Sequence, residues 1–391
     1  MKIIIALDSF KGTLSAQEVC EIIARECCEV IPGAEIVAMP LADGGEGMVA
    51  AWNAACGGTV QIAEVSGPFG TPVRAPWLLM NGGTAVLEMA SCAGLELARG
   101  YESDDRPEFG TVPQRGKISQ HPSDLNPGLA TTLGVGELLR IAGKMAPRII
   151  LGLGGSATND AGCGMAHALG WRFLNRAGED FCPTGNTLCE VERVIPPTSQ
   201  ILYEVVAACD VTNPLHGLNG AAHVYAPQKG ADANMVQCLD EGLRHIVEVM
   251  RAEDLAQTPG AGAAGGLAFG VLAFLGGTLQ PGIDLLLEQA HFHELLRGAD
   301  VVITGEGRMD AQTLQGKAPM GVLRYAEAAG VPVIGICGCL GEGSELLRDA
   351  GFAAIVPSGE GGRPLQDLQK TCRSDLAQAA HKAAMHIVKS K

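Results

Sequence analysis

The chain of 391 residues has few aromatic side chains, little positive charge and no long apolar run. Its 28 Lys and Arg against 43 Asp and Glu give a formal net charge of −15, which argues against a nucleic-acid groove or an anionic membrane surface. The longest apolar segment, 266–277, is about half of what a membrane span needs. The apolar start of the chain reaches Asp8 too early for a signal peptide. We therefore expect a soluble, cytoplasmic protein with neither nucleic acid nor membrane as partner.

Metal and disulfide patterns are also missing. The thirteen cysteines are odd in number and irregular in position, and none has zinc-type spacing to a histidine. We interpret them as reduced, mostly buried thiols. The nine histidines form no cluster, and neither a Ser/His/Asp nor a Cys/His arrangement stands out. Hydrolysis by a nucleophilic triad therefore finds no support in the sequence.

The composition that is present predicts a folded α/β protein. Apolar residues make up 47% and charged residues 18%, the length favours two domains, and the 53 glycines suit many tight loops. The run at 3–7 predicts a buried parallel strand, and Ser15 and Glu18 form a capping box at the start of a helix. A second strand is predicted at 34–40, and further strands of clean βα alternation at 300–304, 331–337 and 353–357.

This alternation suggests a division into two domains. A parallel-sheet domain would comprise 1–62, 128–170 and 291–391, and a second α/β domain would comprise 63–127 and 171–290. Within the second, 99–127 is polar and rich in breakers, which predicts a surface loop. The ligands would lie in the cleft between the two domains.

The stretch 147–162 is the clearest candidate for a binding site. An apolar run ends at Gly152, and Gly154, Gly155 and Ser156 follow before a segment that suits a helix. A strand that runs through a glycine turn into a helix directs free backbone N–H groups at one point, and such a point attracts phosphate. A tight turn without a ligand is the alternative that this stretch leaves open.

Other glycine patterns are weaker. Gly260-x-Gly262-x-x-Gly265 matches a dinucleotide fingerprint only as letters, because no strand precedes it. The looser match at 152–157 follows a strand but lacks the acidic residue expected after the next strand. Gly316-Lys317 is followed by alanine, so a Walker A motif is absent as well.

Charged residues recur where predicted strands end. Each could be a turn residue or a helix cap when taken alone. Together they suit phosphoryl transfer, which needs Mg2+ on carboxylates, cations on the phosphates and a base for the attacking hydroxyl. The carboxylates are Asp8, Asp43, Asp210 and Asp310, and the lysines are Lys11, Lys229 and Lys317.

Six motifs in this order resemble the bacterial type I glycerate kinase family. The resemblance extends from residue 1 to about 360, and the combination is far more specific than any single glycine string. The motifs are Asp8-Ser-Phe-Lys-Gly-Thr-Leu-Ser-Ala16, Ala42-Asp-Gly-Gly-Glu-Gly47, Gly152-Leu-Gly-Gly-Ser-Ala-Thr-Asn-Asp160, Cys209-Asp-Val-Thr-Asn-Pro-Leu215, 259–266 and Gly305-Glu-Gly-Arg-Met-Asp-Ala-Gln-Thr313.

The resemblance implies an enzyme that phosphorylates D-glycerate with ATP and Mg2+, usually at the 2-hydroxyl. It also implies a flavodoxin-like Rossmann domain beside a second, mixed-sheet α/β domain that resembles restriction endonucleases. The sequence leaves open whether 2- or 3-phosphoglycerate is formed and whether the protein is a homodimer. Open alternatives are a kinase of another small hydroxy acid, an enzyme like galactokinase or homoserine kinase, and a small-acid binding protein without turnover.

Individual roles within the motifs are our hypotheses. The catalytic candidates are Asp43, Asp310, Lys11 and Lys317. The ATP-binding candidates are Gly152, Gly154, Gly155, Ser156, Thr158 and Lys229. The glycerate-binding candidates are Asp8, Ser9, Gly44, Gly45, Glu46, Asn213 and Arg308, and the Mg2+ candidates are Asp210 and Asp310.

Two features depart from the family pattern. The segment 100–126 is longer and more polar than expected, although it touches none of the motifs. Ala161 stands where the family more often has glycine, and we expect alanine to be tolerated if the position is already helical.

Overall fold

The computed structural model describes residues 1–42, 45, 47–100, 125–198 and 202–389. The predicted loop at 99–127 therefore lies mostly outside the described residues. The strands are β1 (Lys2–Leu7), β2 (Glu35–Ala38), β3 (Thr59–Ser66), β4 (Pro72–Leu79), β5 (Thr84–Glu88), β6 (Arg148–Gly152), β7 (Arg172–Leu174), β8 (Asp180–Phe181), β9 (Arg193–Ile195), β10 (Glu204–Ala208), β11 (Thr278–Gln280), β12 (Val301–Gly305), β13 (Arg308–Met309), β14 (Val333–Cys337), β15 (Cys339–Leu340) and β16 (Ala354–Pro357).

Helices connect most of these strands, and none within the described ranges is both long and apolar enough to cross a bilayer. They are α1 (Ala16–Val30), α2 (Met48–Cys56), α3 (Ala90–Ala93), α4 (Leu95–Ala98), α5 (Leu133–Ala142), α6 (Cys163–Ala168), α7 (Ala221–Tyr225), α8 (Ala233–Met250), α9 (Glu253–Ala256), α10 (Ala263–Leu275), α11 (Gly282–Gln289), α12 (Phe292–Leu295), α13 (Ala318–Ala328), α14 (Leu346–Asp349) and α15 (Leu365–Lys389).

The first large sheet is parallel and has the order β16-β14-β12-β1-β2. Both ends of the chain contribute, because β1 pairs with β12 through Ile3 opposite Val301. The apolar, β-branched runs of these strands suit a sheet that is covered on both faces. The strands at 3–7, 300–304, 331–337 and 353–357 are thus confirmed to within two residues, and the predicted capping box of Ser15 and Glu18 begins α1.

The second large sheet is mixed and has the order β11-β10-β6-β5-β4-β3. Strands β5, β6, β10 and β11 are parallel, whereas the hairpin partners β3 and β4 run antiparallel. Two small sheets, β8-β7-β9 and β13-β15, lie beside the large ones. The predicted α/β class, with one parallel and one mixed sheet, is confirmed.

One strand lies in a different sheet from the predicted one. We expected the central strand before Gly152 to join the sheet of the two chain ends, but β6 pairs with β5 and β10 of the mixed sheet. A fully apolar strand fits between neighbours in either sheet, so its pattern carries no information about its partners. The placement of 128–170 is corrected for this strand, while the domain boundaries stay a prediction.

Alternating strand residues build separate cores on the two faces of each sheet. In β1, Ile3 and Ile5 face α1 and α15, whereas Ile4 faces a core that also holds Val86 and Ile150 of the mixed sheet. Helices α2, α11 and α13 supply many of the other buried side chains of that shared core, so they lie in the layer between the sheets. Helices α5, α6, α7, α8 and α10 cover the far face of the mixed sheet.

The turn before α6 does not meet the condition on which alanine was expected to be tolerated at position 161. The helix begins only at Cys163, and Ala161 is fully buried with a left-handed φ of 54°. An alanine in this region is strained by about 1–2 kcal/mol, because its Cβ approaches the next carbonyl oxygen. Position 161 is therefore not helical, and a glycine there meets no such strain.

We expect Ala161→Gly to leave the free energy of unfolding within about 0.5 kcal/mol of the wild-type value, because relief of strain offsets the lost methyl burial and the added chain entropy. The matched change Ala166→Gly in α6, also fully buried, should lower that free energy by about 1.5 kcal/mol. Urea denaturation measures both. Equal losses in the two variants would contradict the strain at position 161.

Candidate functional site

A change of winding direction marks the parallel sheet. From β1 the chain crosses through α1 to β2 on one side, and from β12 it crosses through α13 to β14 on the other. In open α/β sheets, ligands bind outside the carboxyl ends of the strands at such a switch point. The two loops that border it begin at Asp8 and at Glu306, and the Asp8 N–H donates to Gly305 O at 3.0 Å.

These two loops lie in direct contact. A Cβ atom on Gly307 would be 3.3 Å from Phe10 Cα and 3.5 Å from Lys11 N. A side chain at position 307 would therefore press closely on the backbone of Phe10, which would have to shift by a few tenths of an ångström. Asp8 is buried and accepts from the Ser9 N–H at 2.6 Å, whereas Lys11 is exposed. The structure thus brings the motif of the first strand to the motif of the twelfth.

Glu306 and Lys317 form an ion pair beside the switch point. Lys317 Nζ is 3.5 Å from Glu306 Oε2, and Thr313 Oγ1 donates to Glu306 Oε1 at 2.7 Å. Lys317 is the residue before α13, so its ammonium stands at a helix N-terminus. Both the cation and the helix dipole favour an anion at this point. Glu306 was not among the predicted site residues, although it is the first residue after an apolar strand.

Arg308 and Asp310 pair in the same loop. Arg308 Nε is 3.1 Å from Asp310 Oδ2, and Asp310 Oδ1 accepts from the Gln312 N–H at 2.9 Å. Thr313 Oγ1 accepts in turn from the Asp310 N–H at 3.0 Å. The Asp310 carboxylate is held in place while the guanidinium of Arg308 stays largely exposed. A rotation of the exposed arginine would free one carboxylate oxygen for a ligand.

The loop after β6 presents open backbone donors. Within the described residues, the N–H groups of Gly154, Gly155 and Ser156 donate to no other group. Gly155 is exposed with a left-handed φ of 78°, a conformation that glycine adopts without strain. The loop is anchored on both sides, because Gly155 O accepts from Leu95 N and the Ala157 N–H donates to Ala93 O. The open donors agree with the phosphate hypothesis, but the helix that was expected directly after the glycines begins only at Cys163.

The predicted residues Thr158 and Lys229 lie behind this loop. Lys229 is buried, and its Nζ donates to Ser156 Oγ at 2.8 Å and to Thr158 O at 2.7 Å. Burial lowers the pKa of Lys229 to about 7, although the nearby Asp160 acts in the opposite direction. Thr158 is fully buried and its hydroxyl donates to Ala264 O at 3.4 Å. Both residues therefore contact the loop from its inner side.

Asp160 organises the far end of the same loop. It is fully buried and accepts from Thr132 N and Thr132 Oγ1, both at 2.8 Å, and from the N–H groups of Gly162 and Gly164. Burial raises the pKa of Asp160 despite these four bonds. The carboxylate thus ties the loop to the starts of α5 and α6. Its role in the described structure is architectural.

Glu88 connects the edges of the two sheets. It ends β5, opposite Gly152 in the register of β6, and its carboxylate accepts from Val49 N at 2.5 Å and from Gly47 N at 3.4 Å. These N–H groups start α2, the helix that follows β2 of the parallel sheet. A carboxylate at a helix N-terminus is stabilising. Sequence reasoning missed Glu88, because its partners are some forty residues away in the chain.

The motif after β10 lies at the same edge of the mixed sheet. Asp210 Oδ1 accepts from the N–H of Gly282, the first residue of α11. Asn213 uses both ends of its amide: it accepts from Tyr225 Oη of α7 at 2.6 Å and donates to Asn219 O at 2.8 Å. The structure therefore places Asp210 at a strand end as predicted, and gives Asn213 one partner in its own loop and one in α7.

The predicted residues fall into two groups. Those of the parallel sheet lie in the loops at the switch point, and those of the mixed sheet lie in the loops after β6 and β10 or, for Lys229, behind the loop after β6. Asp43, Gly44 and Glu46 lie outside the described residues, between β2 and the Glu88-capped start of α2, and Gly45 is half-buried there. The first group is Asp8, Ser9, Lys11, Arg308, Asp310 and Lys317, and the second is Gly152, Gly154, Gly155, Ser156, Thr158, Lys229, Asp210 and Asn213.

The oxygen donors at the switch point suit a hard cation. Among the described residues no three His, Cys, Asp or Glu side chains form a metal cluster. Mg2+ in phosphoryl-transfer sites uses one or two carboxylates together with phosphate oxygens, and Glu306 and Asp310 are carboxylates of that kind. Asp210 lies at the edge of the other sheet, so the two predicted Mg2+ ligands come from different sheets.

Known proteins resemble this chain over its whole length. The model of the glycerate kinase family matches residues 3–112 and 115–388. A glycerate kinase of Bacillus subtilis is 40% identical over 100% of this chain and 99% of its own, and a glycerate 2-kinase of Escherichia coli is 39% identical over 91% and 90%. A crystal structure from Salmonella typhimurium LT2, assigned as a glycerate kinase 2, superposes with a TM-score of 0.81 at 35% identity, covering 100% of this chain and 99% of that one.

Proposed function

The chain belongs to the glycerate kinase family, and from this premise we propose that it transfers a phosphoryl group from ATP to the 2-hydroxyl of D-glycerate. The observation that carries the proposal is the contact between the loops after β1 and β12 at the switch point, where Lys317 pairs with Glu306. The E. coli relative, a glycerate 2-kinase, supports 2-phosphoglycerate as the product.

The open N–H groups of Gly154, Gly155 and Ser156 would hold phosphate groups of ATP. Hydrogen bonds from backbone N–H groups to phosphate oxygens are charge-assisted and therefore short and strong. The acidic chain repels an anionic ligand elsewhere on its surface, so the local donors must supply the attraction. The glycines at 154 and 155 let the phosphates approach the backbone closely.

Lys317 and Lys11 would neutralise the transferring phosphoryl group or the glycerate carboxylate. Lys317 is preorganised by Glu306 at 3.5 Å, which keeps the ammonium at the start of α13. Stabilising charge that develops in the transition state is the main task of a kinase site. The exposed Arg308 and the backbone at Asp8 and Ser9 would bind the glycerate carboxylate and hydroxyls.

A carboxylate at the parallel-sheet edge would accept the proton of the attacking hydroxyl. Asp310 is held by the Gln312 N–H and by Arg308, and Asp43 follows the neighbouring strand β2. Mg2+, when bound, would neutralise the phosphate oxygens, and the residues to hold it are Asp310, Glu306 or Asp210. The cytoplasmic location also stays a prediction.

The experiment that tests the proposal is identification of the product. Purified protein is incubated with ATP, Mg2+ and D-glycerate, and phosphorus and proton NMR spectra assign the position of the new phosphate ester. We expect 2-phosphoglycerate and one ADP for each ester formed. Formation of 3-phosphoglycerate would correct the position, and no glycerate-dependent ADP would remove the proposal in favour of a binding protein. Other small hydroxy acids, tested in parallel, would reveal a different substrate.

A further inference from the structure

Lys229 lies buried behind the loop 153–158, which follows β6 and is called the phosphate-binding loop below. Lys229 is 3% exposed and ends the short turn Pro227–Lys229. Its Nζ reaches across more than seventy residues of chain to Ser156 Oγ and Thr158 O. Both bonds are on the inner side of the loop. A role as a direct phosphate ligand, expected from the sequence, therefore does not follow from its contacts.

Ser156 connects the buried lysine to the open surface of the loop. Its hydroxyl is held by Lys229 at 2.8 Å, and the same hydroxyl accepts from Thr158 N at 3.3 Å. Its backbone N–H is one of the three that donate to nothing else among the described residues. Fixing the Ser156 side chain therefore also fixes the direction of that N–H. Preorganised donors bind an anion without the cost of ordering the loop.

A strained segment supports the loop from the same side. Ala264, Gly265 and Gly266 are all left-handed, with φ of 54°, 66° and 89°. Thr158 Oγ1 donates to Ala264 O, and the Ala161 N–H donates to Gly265 O at 3.1 Å. Ala264 is the strained residue of the three, because glycine adopts the left-handed region freely, and such a residue persists only where surrounding contacts determine it. Lys229 acts on this segment indirectly, through its bond to Thr158 O.

The charge of Lys229 depends on its surroundings. Burial lowers its pKa to about 7, so the amine is about half protonated at neutral pH. Asp160 in the loop raises that pKa, and the strained segment 262–266 contains no titratable side chain. Phosphate groups that bind to the loop bring negative charge close to Nζ. Such charge favours the protonated amine.

We propose that Lys229 is a positioning residue that fixes the phosphate-binding loop from its buried side and takes up a proton when the phosphates of ATP bind. The proposal rests on the proposed function, because ATP is taken as the ligand of the loop. It gives Lys229 a role without contact to the reacting atoms. The loop would then hold its full positive charge only when it is occupied.

The first test uses kinetics of Lys229→Met, with the exposed Lys144→Met as the matched control. We expect the KM for ATP to rise at least tenfold and the KM for D-glycerate to change less than threefold. In a Ser156→Ala background the same change should raise the KM for ATP by a much smaller factor, because the lysine acts through that hydroxyl. Equal effects on both KM values, or equal effects in both backgrounds, would overturn the positioning role.

The second test needs no variant. Binding of a non-hydrolysable ATP analogue with Mg2+ is measured by calorimetry at pH 8 and pH 6, in two buffers of different ionisation enthalpy. At pH 8 Lys229 is mostly neutral in the free protein, so we expect clear net uptake of protons when the analogue binds. At pH 6 the amine is already protonated and uptake should nearly vanish.

Absence of proton uptake by the wild-type protein at pH 8 would refute the proton-coupled part of the proposal. A folded Lys229→Met protein that retains the uptake would assign the proton to another group, with the same consequence. Both calorimetric measurements, on the wild-type protein and on Lys229→Met, follow the binding of the ATP analogue and do not require phosphorylation of glycerate. A protein that binds the analogue but does not phosphorylate glycerate would therefore contradict the proposed function and leave the role of Lys229 standing.

Discussion

Replacing Lys317 with methionine is expected to lower kcat for glycerate phosphorylation by about a thousandfold. The ammonium stands at the N-terminus of α13, beside the switch point, and its one anionic partner among the described residues is Glu306 at 3.5 Å. Methionine keeps the length of the side chain and removes the charge that would stabilise the transferring phosphoryl group. Steady-state kinetics with saturating ATP and D-glycerate measures the effect.

Two further variants test whether the loss of activity in Lys317→Met is due to the missing charge at this position. Lys317→Arg should recover part of the activity because the charge returns, although the guanidinium cannot reproduce the geometry of an ammonium. Lys144→Met, which removes an exposed lysine at the end of the α5 region, should keep near-normal turnover. A kcat for Lys317→Met within tenfold of wild type would exclude Lys317 from the chemical step.

The second large effect is expected for Asp310→Asn, with a fall in kcat of about a hundred- to ten-thousandfold if Asp310 accepts the proton of the glycerate hydroxyl. Asparagine retains an oxygen that can accept from the Gln312 N–H at 2.9 Å, so the turn should survive. What disappears is the negative charge, and with it the base and the ion pair with Arg308. Turnover is followed over pH 5 to 9, and circular dichroism reports the fold.

The chain offers a close control for this variant. Asp180 also pairs with an arginine Nε, that of Arg172 at 3.0 Å, and accepts a backbone N–H, that of Phe173 at 3.2 Å, but it lies in the small β8-β7-β9 sheet. Asp180→Asn should therefore leave kcat unchanged. Asp43→Asn is measured alongside, because either carboxylate could be the base. Near-normal turnover in both Asp310→Asn and Asp43→Asn would remove both residues from the chemistry.

Local patterns predicted much of the fold. The capping box of Ser15 and Glu18 placed the start of α1, because both partners lie within one helical turn. Short apolar runs before glycine placed most strands of the parallel sheet, since a buried strand must be apolar on both faces. The charged residues that follow these strands could also be predicted to lie near one another, because the carboxyl ends of parallel strands meet at one edge of the sheet. The resemblance to the glycerate kinase family rested on the same residues, and the family is confirmed.

Long-range contacts decided the rest. Glu88 caps α2 through the N–H of Val49, 39 residues away in the chain, and Lys229 donates to Ser156 Oγ, 73 residues away. Strand β6 pairs within the mixed sheet, although its apolar pattern fits either sheet. Alanine was expected at position 161 on the condition that the position is helical, yet packing against 265–270 holds it in a left-handed turn.

The sequence by itself thus determined which residues end strands, which glycines form loops and to which family the chain belongs, because these properties depend on neighbours in the chain. Only the tertiary structure decided which sheet each strand joins and which side of the loop after β6 each side chain contacts. Both depend on the packing of segments that are far apart in the chain. The residues next to Lys229 in sequence, for example, would be the same whether its side chain contacted the inner or the outer side of that loop.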